Sequence, residues 1–363
     1  MIALPDDGRY GWWRTISTGV LIGVAAIMIF ALFDAAGTGR LGHDFRASYL
    51  PASEAILQFG SPYATSGGED DIGRLPYVYP PPLAIALVPL TALPVDVAAF
   101  LAFLVSLAAV MGALAVVGVT DLRCYAAVIA WQPGWNALEM ANASAALALA
   151  LALVWRFRAT VWPLAIVVAL AVSTKLFLWP LLVWAVATRR FRAAGLAAAI
   201  GLAITLTAWA AIGFDGLTSY PNQVAKAGFE DSFSIVAMTA VLGYKPIVGH
   251  VLMVIVGGAL LGTLVRMSRR GNEVGAFTCA IAAAFVLTPI VWQHYLVLLV
   301  VPLALARPRF SALWLLPIVL WASKPGAPRD GLEPFLPALV VVVLLFILLA
   351  RPRGDSVTVE VPA

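Results

Sequence analysis

The sequence predicts an all-α, polytopic integral membrane protein with about twelve (roughly 10–13) transmembrane helices. Two compositional facts and one pattern carry this expectation. Hydrophobic residues make up 62% of the chain and charged residues only 12%, with a mean hydropathy of +0.95. The arginines gather in short clusters between apolar runs: Arg156/Arg158, Arg189/Arg190/Arg192, Arg266/Arg269/Arg270, Arg307/Arg309 and Arg351/Arg353. Soluble domains run at roughly 45–50% apolar and about 25% charged, so a soluble enzyme, a nucleic-acid binder and a disordered scaffold are excluded. The net charge of +4 therefore belongs to cytoplasmic loops under the positive-inside rule, and no nucleic-acid partner is expected.

Taken in order, the first apolar run, Thr15–Phe33, is close to the roughly 20 residues that span a bilayer. Asp6 and Asp7 spoil the positive start of a signal peptide, so a retained helix is expected, its N-terminus held inside by Arg9 and Arg14. Further apolar segments follow at 80–94, 96–118, 124–134, 137–154, 161–173, 176–188, 194–212, 247–266, 274–291, 295–306, 311–323 and 333–350. Pro89, Pro94, Pro133, Pro180 and Pro302 bound or interrupt them, and broken segments are tolerated only where protein or a water-filled cavity covers the backbone. One of 80–94 or 124–134 is expected to be re-entrant or interfacial. Both termini fall inside, residues 1–350 form a single membrane domain, and 351–363 form a short cytoplasmic tail.

Two polar stretches, 34–79 and 213–246, then fall outside as the first and second extracytoplasmic loops. All three histidines (His43, His250, His294) and all four lysines (Lys175, Lys226, Lys245, Lys324) come out on or near that side. Polar chemistry thus collects at one membrane face, which favours an enzyme of that face. A transporter or flippase for a lipid-linked sugar would set its polar groups near the midplane. A catalytically dead assembly scaffold would tolerate loss of Asp44, Lys175 and His294 together.

Asp44, in His43-Asp44-Phe45-Arg46, heads the candidate residues. A carboxylate there can take a proton from an attacking hydroxyl, with Arg46 or His43 offering positive charge to an anion. The plainer alternatives are an aspartate paired with Arg46, or one capping a helix over Ser48–Gln58. Glu139 and Asn142, three apart, are expected on one helical face, either facing a cavity or hydrated at the interface. Lys175, between two apolar runs, can bind phosphate as a point charge or snorkel from a tight turn. His294, in Trp292-Gln293-His294-Tyr295, is either a ligand-binding group or part of an aromatic belt. Glu69-Asp70-Asp71 is read as a solvated acidic loop, with no metal site and no cofactor expected. Cys124 and Cys279 have no metal or redox spacing and read as membrane-buried residues.

A longer pattern joins these positions. Asp44 follows the first helix; Gly60-Ser61-Pro62-Tyr63 and Tyr77-Val78-Tyr79-Pro80-Pro81-Pro82 come next; Asn142, Ser173-Thr174-Lys175-Leu176-Phe177 and Trp292-Gln293-His294-Tyr295 before Pro302 complete it. In this order the chain resembles glycosyltransferase family 87, polytopic enzymes of the GT-C architecture. It departs from the family in having Met140-Ala141 before the asparagine and in the wait from Lys175 to Pro180. The resemblance implies a GT-C-type bundle in the plasma membrane. It also implies inverting transfer of a hexose, mannose by the family's pattern, from a polyprenyl-phosphate donor to a glycolipid or glycan acceptor at the extracytoplasmic face. Asp44 would be the base; Lys175, His294 and Arg46 would hold the donor phosphate; His43, Tyr79, Glu139 and Asn142 would line the substrate site.

Overall fold

The described residues of this computed structural model are 11–63, 75–227, 232–323, 335–337, 339 and 342–343. Asp6, Asp7, Arg9, the Glu69-Asp70-Asp71 run, Glu230, Asp231, Lys324, Arg351, Arg353, most of segment 333–350 and the tail lie outside them, as does the side chain of Lys226. Among the described residues every regular element is helical.

Helix α1 (Gly11–Gly37) has 27 residues, about 40 Å at 1.5 Å per residue. A π-helical turn, Phe45–Tyr49, runs into α2 (Leu50–Leu57). Helix α3 (Pro81–Leu87) passes through a 3-10 turn, Val88–Ala92, to α4 (Val95–Val116). There follow α5 (Leu122–Ala130), α6 (Gln132–Glu139), α7 (Ala143–Arg156), α8 (Trp162–Thr174), α9 (Pro180–Ala187) and α10 (Phe191–Ala211). The second polar stretch holds α11 (Tyr220–Ala227) and α12 (Ile235–Val241). Last come α13 (Pro246–Arg269), α14 (Glu273–Val286), a 3-10 segment Gln293–Leu299 continued by α15 (Val300–Ala306), and a 3-10 segment Ala312–Ala322.

Four of these, α1, α4, α10 and α13, are long and apolar enough to cross a membrane, and α6 with α7 adds a fifth if a 117° bend lies within one span. The helices therefore account for fewer full-length crossings than the apolar segments suggested. Proline is one reason. It sits in the first turn of α6, α8 and α9, where its missing N–H starts a helix but cannot continue one. A helix such as α8, with 13 residues, reaches about 20 Å, short of a hydrocarbon core of about 30 Å.

The main core is built by α7, α9, α14 and the Gln293–Ala306 stretch, with Leu151, Trp184, Phe277 and Val300 fully buried. Cys124 and Cys279 are both buried and free, as expected. A second core lies under the first polar stretch, where Phe45, Tyr49, Tyr63, Tyr77, Tyr79 and Trp209 pack together. The junction between the two cores is the α5–α6–α7 passage. Gly134 starts α6 hard against α5: a Cβ there would stand 1.9 Å from the Val128 carbonyl oxygen. Helix α6 ends at Glu139, Ala141 takes a left-handed φ of 48°, and Asn142 opens α7 as its N-cap. Glu139 and Asn142 thus belong to two helices meeting at 117°, not to one helical face, because the left-handed residue between them breaks the 3.6-residue period.

Candidate active site

The elbow between α6 and α7 holds the chain on which Asp44 sits. Gly42 donates to the Glu139 carbonyl at 2.7 Å and Phe45 to that of Met140 at 3.4 Å. Gly42 adopts φ +78° within close range of Ala99 and Ala141, a conformation and a clearance that suit only glycine. These contacts aim Asp44 at Asn142, the N-cap of α7. The Asn142 amide nitrogen donates to Asp44 Oδ2 at 2.5 Å and to the Tyr49 hydroxyl at 2.8 Å, with the Tyr79 hydroxyl at 3.3 Å.

The other end of the same amide is equally committed. Asn142 Oδ1 accepts from the Ser144 N–H and hydroxyl, each at 2.8 Å, and from Lys175 Nζ at 3.4 Å. The Ser144 N–H is one of the unpaired donors of a helix start, so the cap fixes which way the amide points. Asn142, only 1% exposed, therefore links the carboxylate of Asp44 to the ammonium of Lys175. Lys175 leaves α8 at the Lys175–Leu176 break, donates to Ser144 Oγ at 3.1 Å, and lies over the rings of Tyr295 at 3.7 Å and Tyr79 at 4.8 Å. Two aromatic faces attract an ammonium through their quadrupoles and supply no counter-charge.

Tyr79 is the wall of the site. Pro80 and Pro81 bias Tyr79 and Pro80 toward extended backbone, and hydroxyls pin the Tyr77–Tyr79 segment. Tyr63 donates to the Tyr79 carbonyl at 2.7 Å, Tyr220 to that of Val78 at 3.3 Å, and Tyr49 to the Tyr79 hydroxyl at 2.6 Å. One cavity, of about 300 Å³, opens on the first side of this wall and is lined by His43, Asp44, Tyr49, Asn136, Trp292 and His294 among others. A second, of about 360 Å³, opens on the other side and is lined by Lys175, Phe177, Trp179, Tyr220, Leu287 and Tyr295 among others. Val78 and Tyr79 face both. Lys175 is the one charged side chain among the described residues lining the second cavity.

Burial raises the Asp44 carboxyl above the ordinary carboxylate range, against the opposing pull of the Asn142 hydrogen bond and of Lys175 and His43. The Tyr49 and Tyr79 phenols are pushed up by burial and stay protonated donors. A carboxylate of raised basicity beside a cavity can accept a proton; a cation at the end of a mostly apolar cavity can hold a phosphate.

Of the residues expected from sequence, the structure brings Asp44, Asn142, Tyr79 and Lys175 into one hydrogen-bonded and ring-stacked cluster. His43 and His294 share the Asp44 cavity. His294, 5% exposed, has its Nδ1 3.3 Å from the Asn136 side-chain oxygen, while its Nε2 is buried without a partner. Arg46 and Glu139 are not brought in. Arg46 turns away to pair with Asp96 at 2.7 Å and to donate to the Leu41 carbonyl, because the π-turn sends residues 44 and 46 to different sides. Glu139 accepts from Trp135 Nε1 at 2.8 Å and lines neither cavity. Asp44 neither pairs with Arg46 nor caps the turn that follows it. Sequence reasoning missed Tyr49, Ser144, Asn136 and Tyr295; the last adjoins His294 and was the one with a local signal. Among the described residues no three His, Cys, Asp or Glu side chains come together as a metal site requires.

The model of glycosyltransferase family 87 matches residues 77–302, more than half of the chain. The chain belongs to glycosyltransferase family 87. This family 87 member is thus a membrane glycosyltransferase, and the matched stretch contains Tyr79, Asn142, Lys175 and His294. Asp44 precedes the stretch and is joined to it by the Asn142 bond. No curated protein and no solved structure matches the chain.

Proposed function

We propose that this glycosyltransferase moves a hexose, mannose by the family's pattern, from a polyprenyl-phosphate donor to a glycolipid or glycan acceptor with inversion. The observation that carries the reading is the pair of cavities divided by Tyr79, with Asp44 in one and Lys175 in the other. A lipid-linked sugar phosphate needs an apolar groove ending in a cation, and the acceptor hydroxyl needs a base across the anomeric carbon. In the proposed step the acceptor oxygen bonds to the anomeric carbon while its proton passes to Asp44. The bond from that carbon to the phosphate oxygen breaks through an oxocarbenium-like state, and the polyprenyl phosphate leaves with one added negative charge beside Lys175. His294, with its free Nε2 in the Asp44 cavity, meets the hexose and its bridging oxygen. Arg46 is left as a brace for the loop that carries Asp44.

The finer placement belongs to the same reading: a single GT-C-type domain over 1–350 in the plasma membrane, its site on the extracytoplasmic face. In it, shorter helices joined end to end, such as 176–187 and 293–306, supply the crossings beyond the long ones toward about twelve. Transfer from polyprenyl-phosphate hexose by membranes carrying Asp44→Asn tests the assignment of the base. Transfer is expected to vanish while the protein accumulates normally; product at the parent rate overturns it. Because burial raises Asp44, the folded chain favours its neutral form. Its charge then lowers stability as pH climbs from the ordinary carboxylate range through the raised value. The variant is therefore expected to melt no lower than the parent at neutral pH.

A further inference from the structure

A third cavity, of about 320 Å³, is lined by Arg158, Thr160, Arg189, Arg190, Phe191 and Arg192 among others. It lies at the far ends of α7 and α8, whose other ends carry Asn142 and Lys175. Helices of 14 and 13 residues put it about 20 Å from the active site along their axes, at the opposite end of the bundle. Four arginines converge there from two loops and the first turn of α10, and the carboxylate that answers them is Glu273 of α14, paired with Arg158 and Arg190. The balance leaves three positive charges at one cavity. The Arg190 Nη1 is buried without a partner, and the side chains of Arg189 and Arg192 make no hydrogen bond or ion pair with any described residue. Helices α8 and α10 both begin at this cavity, without a side-chain cap and without an acidic residue in the first turn, so their free N–H groups add to the field.

The flanks of the cavity are apolar and exposed. Phe191, which lines it, is 62% exposed, and Trp162, the residue after the lining Val161, is 60% exposed. Ile166 and Leu170 of α8 and Leu202 and Leu206 of α10 continue that exposed surface along the helices. A phosphate on the arginines would thus have room for acyl chains lying down the same helix faces, where a free anion would leave that surface unused. Basic pockets between membrane helices suit anionic headgroups, through charge and interfacial position together.

We propose that this cavity is a binding site for the phosphate headgroup of an anionic bilayer lipid, distinct from the lipid-phosphate site at Lys175. The test uses the full chain, delipidated in detergent and titrated with phosphatidylglycerol, with phosphatidylcholine of the same chains, or with inorganic phosphate. Bound lipid is counted by native mass spectrometry, and the melting temperature is followed in parallel. A headgroup arginine at the membrane surface is worth about fivefold in affinity. The parent is therefore expected to prefer phosphatidylglycerol over phosphatidylcholine, and R189Q/R192Q to lose roughly 25-fold of that affinity while keeping its melting temperature without lipid. Equal binding of the two lipids by the parent overturns the proposal, and needs no variant to fold. So does an undiminished preference in R189Q/R192Q, or inorganic phosphate reproducing the effect of phosphatidylglycerol.

Discussion

Asn142 is where a small substitution has the most to disturb. Asn142→Ala removes the 2.5 Å donor from Asp44 and the acceptor that Lys175 and Ser144 share. A hydrogen bond to a charged group contributes about 1.5–3 kcal/mol. Because the Asn142 bond pulls the Asp44 carboxyl down against burial, its loss lets the carboxyl rise further. A base must be ionised, so transfer falls as pH drops through the folded value. In the variant, that acid limb moves to higher pH. At a fixed pH within the shifted limb, transfer drops about ten- to a hundred-fold.

Loss of the N-cap costs about 0.5–2 kcal/mol of stability on its own, so a companion variant is needed. Asn142→Asp keeps a side-chain oxygen for the Ser144 N–H and replaces the donor with a second carboxylate. Like charges at hydrogen-bond distance resist joint ionisation, so its acid limb should move at least as far while the fold is retained. The assay is the pH dependence of hexose transfer from polyprenyl-phosphate donor in membranes holding equal amounts of protein. Acid limbs that coincide with the parent's in both variants would refute the argument that Asn142 sets the basicity of Asp44.

Lys175→Met removes the one charged group among the described residues lining the second cavity; it should lower kcat/KM for the lipid-phosphate donor about ten- to a hundred-fold. Lys175→Arg keeps a phosphate-binding cation that stacks on Tyr79 and Tyr295, so it should recover part of the loss; parent kinetics in Lys175→Met would exclude Lys175 from donor binding. Gly42→Ala meets a φ of +78° and a Cβ contact of 3.2 Å with Ala99, costing about 1–2 kcal/mol for the left-handed backbone. A lower melting temperature is expected together with slower transfer, because the same loop carries Asp44; an unchanged melting temperature would contradict the strain. Gly134→Ala sets a methyl 1.9 Å from a backbone oxygen that cannot give way, so folded, monodisperse protein should be lost on size exclusion.

The fold class was legible because composition averages over the whole chain, and a bilayer imposes its apolar requirement on nearly every segment. Helix ends were legible where a polar residue or proline stops the run, as at Val95–Val116, expected at 96–118. Crossing number was not, since hydropathy does not distinguish a 22-residue helix such as α4 from shorter helices meeting at a bend. In the site, Lys175 and His294 stood out as rare polar residues in apolar surroundings. Asn142 stood out as the polar break before α7. Tyr49 did not, because Phe45-Arg46-Ala47-Ser48-Tyr49 has no local mark; its importance comes from a contact 93 residues away. The pairing of Asp44 with Arg46 suggested by their spacing failed. Arg46 instead pairs with Asp96, brought up by α4.

The amide between Asp44 and Lys175 also bears on why the two charges are not simply paired. A lysine in direct contact would pull the carboxyl down, weakening it as a base, and would spend its ammonium on Asp44 instead of on phosphate. With Asn142 between them, each charge keeps a hydrogen-bond partner in a buried site, and burial outweighs the remaining attraction at Asp44. The separation depends on backbone geometry more than on side-chain choice. Ala141 must turn left-handed for α6 to end and for Asn142 to start α7 facing both loops. A non-glycine residue in that conformation costs on the order of 1 kcal/mol. On the proposed reading, that turn at the elbow is what holds base and phosphate cation on the two sides of Tyr79, bridged by one amide and not neutralised by each other.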